Sequence, residues 1–188
     1  MSEILNKKER KELLRIARDT ITSYVTSGNI PSAETVSGGL ASATGCFVTI
    51  KQHGRLRGCI GNFVSDKPLY RLVQEMAISA ATRDPRFYPM KQSDLDDFEL
   101  EISVLSPLEK IDSVEAIKVG KHGLYIIKES SHGVLLPQVA TEYGWDRETF
   151  LKHTCLKAGL PENAWQTGCD IYIFSALVFG EETQEGLH

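Results

Sequence analysis

The run Leu56–Gly61 has the clearest chemical potential in this chain, because it places a cysteine between two glycines. Arg57 precedes Cys59 by two positions, and a neighbouring cation favours the thiolate, the reactive form of cysteine. Gly58 and Gly61 let a ligand or a second backbone come close, and their amides could bind an anion or a developing oxyanion. The run predicts a ligand site at which Cys59 is either reactive or a small packed hydrophobe.

A second candidate site is the run 83–87, whose sequence is Arg-Asp-Pro-Arg-Phe. Its arginines, Arg83 and Arg86, lie beside aromatic residues at 87 and 88, and such a group could hold a phosphate or carboxylate and stack a ring. The alternative is a turn that ends a helix and contains a local ion pair of Asp84 with an arginine. The sequence leaves both interpretations open.

A cysteine nucleophile also needs a base that is oriented toward it. Glu101 is one candidate, although alternation with Leu100 and Ile102 places it on the polar face of a strand, where a solvated carboxylate is the default. If that face lines a cleft, Glu101 could act as an acid, a base or a cation ligand. Histidines at 53, 122, 132 and 153 are further candidates, and nothing in their spacing selects one. No ligand pair has the spacing of a metal site, so we expect neither metal nor cofactor.

Helix-like and strand-like runs alternate along the chain. Apolar residues at helical spacing and capping residues predict helices over 7–26, 65–82 and 146–158, with a short helix after Pro137. Ser65 or Asp66 is the expected N-cap of the second of these, and Asp146 that of the third. Runs rich in β-branched residues predict strands over 45–51, 55–60, 98–105, 123–128, 133–136 and 171–179. A loop is expected over 37–42. Hairpin-linked strands with helices between and after them favour an α+β fold with a mainly antiparallel sheet.

The first two strands are expected to form a hairpin around a turn at His53-Gly54. An unbroken ladder from that turn would place Cys59 opposite Val48. Arg57 and Cys59, two positions apart, would then share one face of the strand.

Composition narrows the class of protein. The 188 residues are 41% hydrophobic and 24% charged, as in an ordinary globular protein, and we expect one domain over 1–188. The formal net charge of −4 argues against a general nucleic-acid binder, although a local basic groove remains possible. Without an apolar run of about 20 residues or a signal-peptide core, the chain is expected to be cytoplasmic and to have no membrane contact. The four cysteines are then most simply free thiols.

Several runs together make the chain similar to the AMMECR domain family. The resemblance extends from about residue 9 to 181 and rests on Leu-Arg-Gly-Cys-Ile-Gly at 56–61 and Asp-Pro-Arg-Phe at 84–87. Further matching runs follow in the family's order, at 101–106, 135–140, 144–145 and 157–160, after a first one at 45–50. This combination identifies the chain as a member of the family.

The resemblance implies a two-lobed α+β fold with a cleft between the lobes. The larger lobe would come from the N- and C-terminal segments around a mainly antiparallel sheet, the smaller α+β lobe from the middle of the chain, and Leu56–Gly61 would wall the cleft. Microbial chains of this kind resemble protein A of the AmmeMemoRadiSam system, which implies a Memo-like protein and a radical SAM protein as partners. The family has no established biochemical activity, so the resemblance supplies no reaction.

Two functions therefore compete. The first is a binding or scaffold protein whose cleft takes an unidentified ligand. The second is a cysteine-dependent enzyme in which Cys59 is the nucleophile or proton donor and Arg57 and Arg86 hold a small anionic or nucleotide-like substrate. In that enzyme Glu101 or a histidine would be the base. Because no base can be assigned, the sequence favours binding.

Overall fold

A computed structural model of the chain describes residues 5–33 and 38–181. The chain divides into two compact units. The first combines the residues up to 104 with those from 177 onward, and the second consists of residues 105–176. Each unit has its own sheet and its own apolar core. The fold is α+β, as predicted, while the cleft between two lobes stays a prediction.

The described part of the first unit contains two α-helices and a four-stranded sheet. Its elements are α1 (Lys7–Ser27), β1 (Cys46–Gln52), β2 (Arg55–Asn62), α2 (Leu69–Thr82), β3 (Glu99–Leu105) and a last strand (Ala176–Gly180), called β8 by its place in the chain. The strand order is β2-β1-β3-β8, and β1 is antiparallel to both of its neighbours. Helix α2 packs on β1 and β2, and α1 packs on α2.

Strand β1 shows how the sequence divides the two faces of this sheet. Cys46, Val48 and Ile50 are fully buried, whereas the residues between them are partly exposed. Successive side chains of a strand point to opposite faces. One face of the sheet is therefore the core face toward α2, and the other carries the side chains of Thr49 and Lys51.

The second unit contains a second four-stranded sheet and two short helices. Its elements are β4 (Glu109–Ile111), β5 (Gly123–Lys128), β6 (Ser131–Leu135), α3 (Pro137–Glu142), α4 (Arg147–Lys157) and β7 (Asp170–Phe174). The strand order is β4-β7-β5-β6, with antiparallel pairing throughout. Helix α4 packs on β5 and β6 around the buried Phe150.

The predicted helices are confirmed, but one predicted cap is wrong. Asn6 caps α1 and Asp146 caps α4 through their side chains, and Gly28 ends α1 in the left-handed conformation. At α2 neither Ser65 nor Asp66 is the cap. The helix starts after Pro68, and the N–H of Leu69 donates to the carbonyl of Ser42 at 2.9 Å. A main-chain carbonyl from elsewhere in the fold thus takes the place of a local side-chain cap.

Two strand predictions need correction, and one strand lies outside the predicted runs. The run 171–179 is two strands, because the main chain breaks at Ser175, whose N–H and C=O bond with Ser106. His132, one residue before the predicted strand 133–136, lies within β6 opposite Ile127. Strand β4 has only three residues and no apolar alternation, so it was not predicted. Residue 37 of the loop expected over 37–42 lies outside the described residues, and Gly38–Ala41 form a 3-10 turn.

No helix in the described ranges is long and apolar enough to cross a membrane.

Candidate functional site

Cys59 lies one position away from its predicted pairing. The turn at His53-Gly54 is confirmed, but a bulge between Ile50 and Lys51 shifts the ladder, so Cys59 lies opposite Thr49 rather than Val48. A bulge inserts an extra residue into one strand and changes the pairing beyond it. Since Thr49 points away from the core, this register places the half-buried Cys59 side chain on the open face of the sheet.

Thr49 is the side-chain partner of the thiol. Its hydroxyl Oγ1 donates to Sγ of Cys59 at 3.1 Å. A hydroxyl that donates to sulfur holds the side chain in one orientation without removing a proton from it. The contact therefore positions the thiol but does not make Thr49 a base.

Glu101 lies in the same cross-strand row, one strand farther on. It pairs with Thr49 on β3, and its carboxylate accepts from Nζ of Lys51 at 3.0 Å. Two strand spacings of about 4.8 Å separate the backbones of Cys59 and Glu101, so some 9–10 Å lie between them with Thr49 in the middle. The carboxylate lies on the polar face, as predicted. It does not touch Cys59 and is beyond the roughly 3 Å reach of a general base.

The main chain of Cys59 is held by the second candidate run. The N–H of Cys59 donates to Oδ2 of Asp84 at 2.9 Å, and its carbonyl accepts from Nη2 of Arg86 at 3.3 Å. Because β2 is an edge strand, these two groups would otherwise be unpaired at the edge of the sheet. We call this pair of contacts the Asp84 clamp. It joins the two runs, 56–61 and 83–87, that were predicted as separate sites.

Asp84 is a carboxylate with a buried side chain, only 2% exposed. Besides the N–H of Cys59 it accepts from the main-chain N–H of Arg86 at 3.1 Å and from Nε and Nη2 of the same arginine at 3.0 and 2.7 Å. The hydrogen bonds from the Arg86 guanidinium, helped by those from the two backbone amides, hold the pKa of Asp84 well below its ordinary value of 3.8. Its charge is thus fixed at neutral pH, and its position is fixed by four donors.

Arg86 and Arg83 differ in what they contact. The Arg86 guanidinium is 54% exposed, yet its donors toward Asp84 and Cys59 are already used. Its pKa is raised, chiefly by the hydrogen bond to Asp84. Arg83 ends α2 and is exposed, and among the described residues its guanidinium makes no hydrogen bond. An anion bound by this run would therefore contact Arg86, whose donors are partly used, and Arg83, which is exposed to solvent.

Both glycines of the first run have packing roles. A Cβ at Gly58 would collide with the carbonyl oxygen of Ala80 in α2, so the glycine lets the helix backbone approach β2. A Cβ at Gly61 would overlap the ring of Phe47, its cross-strand partner. Close backbone approach was the predicted use of glycine here, and the approaching groups are parts of the protein itself.

Arg57 is turned toward Asp94, whose Oδ2 lies 3.5 Å from its Nη2. Its Nη1 is buried without a hydrogen-bond partner among the described residues. The cation that directly contacts Cys59 is Arg86 rather than Arg57, and the register shift explains why: Arg57 stands at the bulge, where regular alternation fails.

None of the four candidate histidines is brought to Cys59 by the described part of the first unit. His53 is on the exposed tip of the β1–β2 hairpin, where Nδ1 lies 2.8 Å from a carboxylate oxygen of Asp97. The other three candidates belong to residues 105–176, the second unit. Across the described ranges, no three His, Cys, Asp or Glu side chains come together as metal ligands would.

Sequence reasoning missed two residues of the site, Thr49 and Lys51. Their signal was present in the alternation of β1, where each stands between buried residues and so must point outward. Selecting Thr49 as the partner of Cys59 needed the exact register, which depends on the bulge.

Comparison with known proteins assigns the chain to a family. The family model AMMECR1 matches residues 14–179, nearly the whole described chain. The chain belongs to the AMMECR1 family. Among its relatives, a protein of Methanopyrus kandleri is 44% identical, with 99% of this chain and 95% of the relative aligned. One from Thermococcus onnurineus is also 44% identical, over 93% and 91% of the two chains.

A solved structure agrees with the fold of this AMMECR1 chain. An uncharacterized protein of Pyrococcus horikoshii superposes with a TM-score of 0.85 and 36% identity, over 98% of this chain and 97% of the other. The sequence resemblance is thereby confirmed at the level of family and fold. The comparisons name neither a reaction nor a ligand.

Proposed function

We propose that the chain is a binding protein whose ligand site is the open face of the first sheet around Cys59. One observation carries the proposal. Every polar group of Cys59 is held by a side chain: its N–H by Asp84, its carbonyl by Arg86 and its sulfur by Thr49. The thiol nevertheless stays partly accessible. A residue that is held in place by side chains from several parts of the fold is typical of a preorganised binding site.

The neighbouring polar groups extend this site along the sheet. Glu101 and Lys51 form an ion pair whose side chains are 35% and 38% exposed, so both charges remain accessible. An accessible carboxylate beside an accessible ammonium complements a small polar ligand that carries both donors and acceptors. The run Leu56–Gly61 would then form one border of the site, as the family resemblance implies.

Binding is favoured over cysteine catalysis because the described residues of the first unit provide no base for the thiol. Its sulfur accepts a hydrogen bond from Thr49, and the nearest carboxylate in its row is two strands away. A cysteine nucleophile needs a base that takes its proton, in addition to any neighbouring cation that favours the thiolate. Arg86 is such a neighbouring cation, but it donates to the carbonyl of Cys59 and cannot act as the base.

Protection of the thiol from alkylation tests the site. The rate of iodoacetamide labelling of Cys59 is followed by mass spectrometry with and without the small-molecule filtrate of an archaeal cell extract. We expect a fraction that slows labelling of Cys59 but leaves Cys169, the half-buried thiol of the second unit, unchanged. The effect should be lost when Thr49 is replaced by Val.

Two results would count against the proposal. Equal slowing at both cysteines would show a general effect of the extract. Protection by no fraction, in a chain whose circular dichroism shows it folded, would remove the reason to place a ligand at Cys59. Conversion of a compound by the wild-type chain and not by Cys59→Ser would favour the enzyme instead.

The family resemblance also implies two partner proteins. We propose that the chain works with a Memo-like protein and a radical SAM protein. Co-expression with tagged copies of each, followed by size-exclusion chromatography, tests this, and separate elution of all three at micromolar concentration would contradict it.

A further inference from the structure

A groove of about 730 Å³ lies between α1 and the end of β8, within the first unit. It is distinct from the face that carries Cys59, and the proposed function does not use it. Helix α1 contributes five cations to its lining: Lys7, Arg10, Lys11, Arg15 and Arg18. Arg15 is paired with Glu12 and Asp19, and Arg18 with Glu181, so only part of this positive charge is uncompensated.

Two of these cations have no counter-charge in the described part of the chain. Lys7 and Lys11 are exposed on α1, and neither ammonium bonds to a described carboxylate. Both lie on the groove side of the helix, four residues apart, and so present their charges one above the other. Unpaired cations at a groove attract an anionic ligand.

The groove already holds a carboxylate at one end. Glu181, directly after β8, accepts from Nε and Nη2 of Arg18 at 2.5 and 2.6 Å, a two-point contact. The same carboxylate accepts from the N–H of Leu100 at 3.0 Å. The Arg18 guanidinium in turn lies over the ring of Phe98, 4.0 Å from its centroid. At this end of the groove the arginine fork is thus paired with the chain's own carboxylate, and the cations left for a ligand are the two exposed lysines.

The wall of the groove opposite α1 is the end of an edge strand. Strand β8 has β3 on one side, and the described ranges contain no strand on its other side. An edge strand leaves main-chain N–H and C=O groups unpaired, and an extended peptide can pair with them as an added strand. Leu14 and Phe179 give the same groove an apolar part of its lining.

We propose that this groove docks an extended acidic segment of a partner protein. The segment would pair along β8 through its main chain, place carboxylates against Lys7 and Lys11, and pack an apolar side chain against Phe179. A nucleic acid would use the cations, but a phosphate backbone gains nothing from the strand edge or the apolar residues. The negative net charge of the whole chain would also repel a long polyanion.

The test measures fluorescence anisotropy of a labelled peptide of alternating Glu and Val, seven residues long, against the full chain. Three probes serve as comparisons: a Lys-Val peptide of equal length, the Glu-Val peptide methylated on alternate amide nitrogens, and an oligothymidine of equal charge. We expect the Glu-Val peptide alone to bind well. Methylation should weaken it at least fivefold because it removes strand donors, and raising the salt from 50 to 300 mM should weaken it further.

Variants assign the binding to the groove. Lys7→Glu combined with Lys11→Glu should weaken the Glu-Val peptide at least tenfold, since two attractions become repulsions at exposed helix positions that leave the core untouched. Arg55→Glu is the matched control. It reverses an exposed charge on β2, the opposite edge of the same sheet, and should change affinity less than twofold.

Several outcomes overturn the proposal. Tighter binding of oligothymidine than of the peptide would make the groove a nucleic-acid site. Equal loss with Arg55→Glu would reduce the effect to overall charge, and indifference to amide methylation would exclude strand pairing. Failure of the acidic peptide to bind below about 1 mM would exclude specific docking.

Discussion

Replacement of Asp84 by Ala is the most direct perturbation of the Asp84 clamp. It removes an acceptor for four hydrogen bonds, two from main-chain N–H groups and two from the Arg86 guanidinium. Replacement by Asn keeps the shape of the side chain and one acceptor oxygen but removes the charge. Comparison of the two variants separates the loss of packing from the loss of charge.

The expected size of the effect follows from exposure. Because the Arg86 guanidinium is 54% exposed, water can replace much of its interaction with the Asp84 carboxylate. The Asp84–Arg86 ion pair therefore contributes at most about 1 kcal/mol to the free energy of unfolding. The N–H of Cys59 has less access to water, and a hydrogen bond to a charged acceptor contributes about 1.5–3 kcal/mol. Asp84→Ala should lower the free energy of unfolding by about 3–4 kcal/mol and Asp84→Asn by about 1.5–2 kcal/mol.

The assay is urea unfolding followed by far-UV circular dichroism, which reports on both units. Tryptophan fluorescence is a useful second probe because Trp145 and Trp165, the chain's two tryptophans, both belong to residues 105–176. We expect the dichroism transition to shift to lower urea. A fluorescence transition that stays in place would show that the loss is confined to the first unit.

Measuring the stability at low pH gives a second test, because the pKa of Asp84 is lower in the folded chain than its ordinary value of 3.8. Between these two pKa values the unfolded state binds the extra proton, so the stability that the carboxylate contributes is complete above about pH 5 and is lost as the pH falls below 4. The stability gap between wild type and Asp84→Asn should be constant from pH 5 to 8 and should narrow below pH 4. A gap that stays constant to pH 2.5, or an Asp84→Ala cost under about 1 kcal/mol, would refute the clamp.

Gly58→Ala should destabilise the chain by about 3 kcal/mol or more in the same urea assay, because the added methyl group would collide with the backbone of Ala80. Gly54→Ala is the control: this glycine has a positive φ and open space around it, so the substitution should cost only about 1 kcal/mol. Equal costs for the two variants would contradict the close packing at Gly58. In timed alkylation at pH 8, Cys59 should react far ahead of Cys46, since burial raises the pKa of Cys46 from 9.0 to about 12 and cuts its thiolate population about a thousandfold. Comparable rates at the two cysteines in the folded chain would show that Cys46 is not enclosed as described.

Local signals in the sequence were sufficient for most elements. Asn6, Gly28 and Asp146 mark helix ends by chemistry that acts within a few residues, and Asp146 is the predicted cap of its helix. The break at Ser175 was not predicted because the apolar run continues across it. The hydrogen bonds that hold the break come from Ser106, 69 residues earlier in the chain.

The candidate site shows even more clearly that long-range contacts cannot be predicted from local sequence patterns. Both runs that form it were singled out by residue type, but as two alternatives rather than one assembly. Asp84 meets Cys59 across 25 residues of chain, and a one-residue bulge decides that the thiol faces Thr49. Neither a long-range contact nor a bulge leaves a periodic pattern, so composition and spacing could indicate the participants but not their geometry.

The position of β8 in the first sheet has a consequence for how the chain is made. This strand pairs beside β3, yet about 70 residues of the second unit are synthesised between the two. At roughly 5–20 residues per second, β3 waits some 4–14 s with one edge uncovered. Its side chains from Ile102 to Leu105 are all buried in the finished protein, and three of these four are apolar, so the exposed strand is largely apolar as well as unpaired at its edge. The nascent chain is therefore most prone to misassociate in this interval, and fast folding of the second unit, which brings β8 back, shortens the exposure.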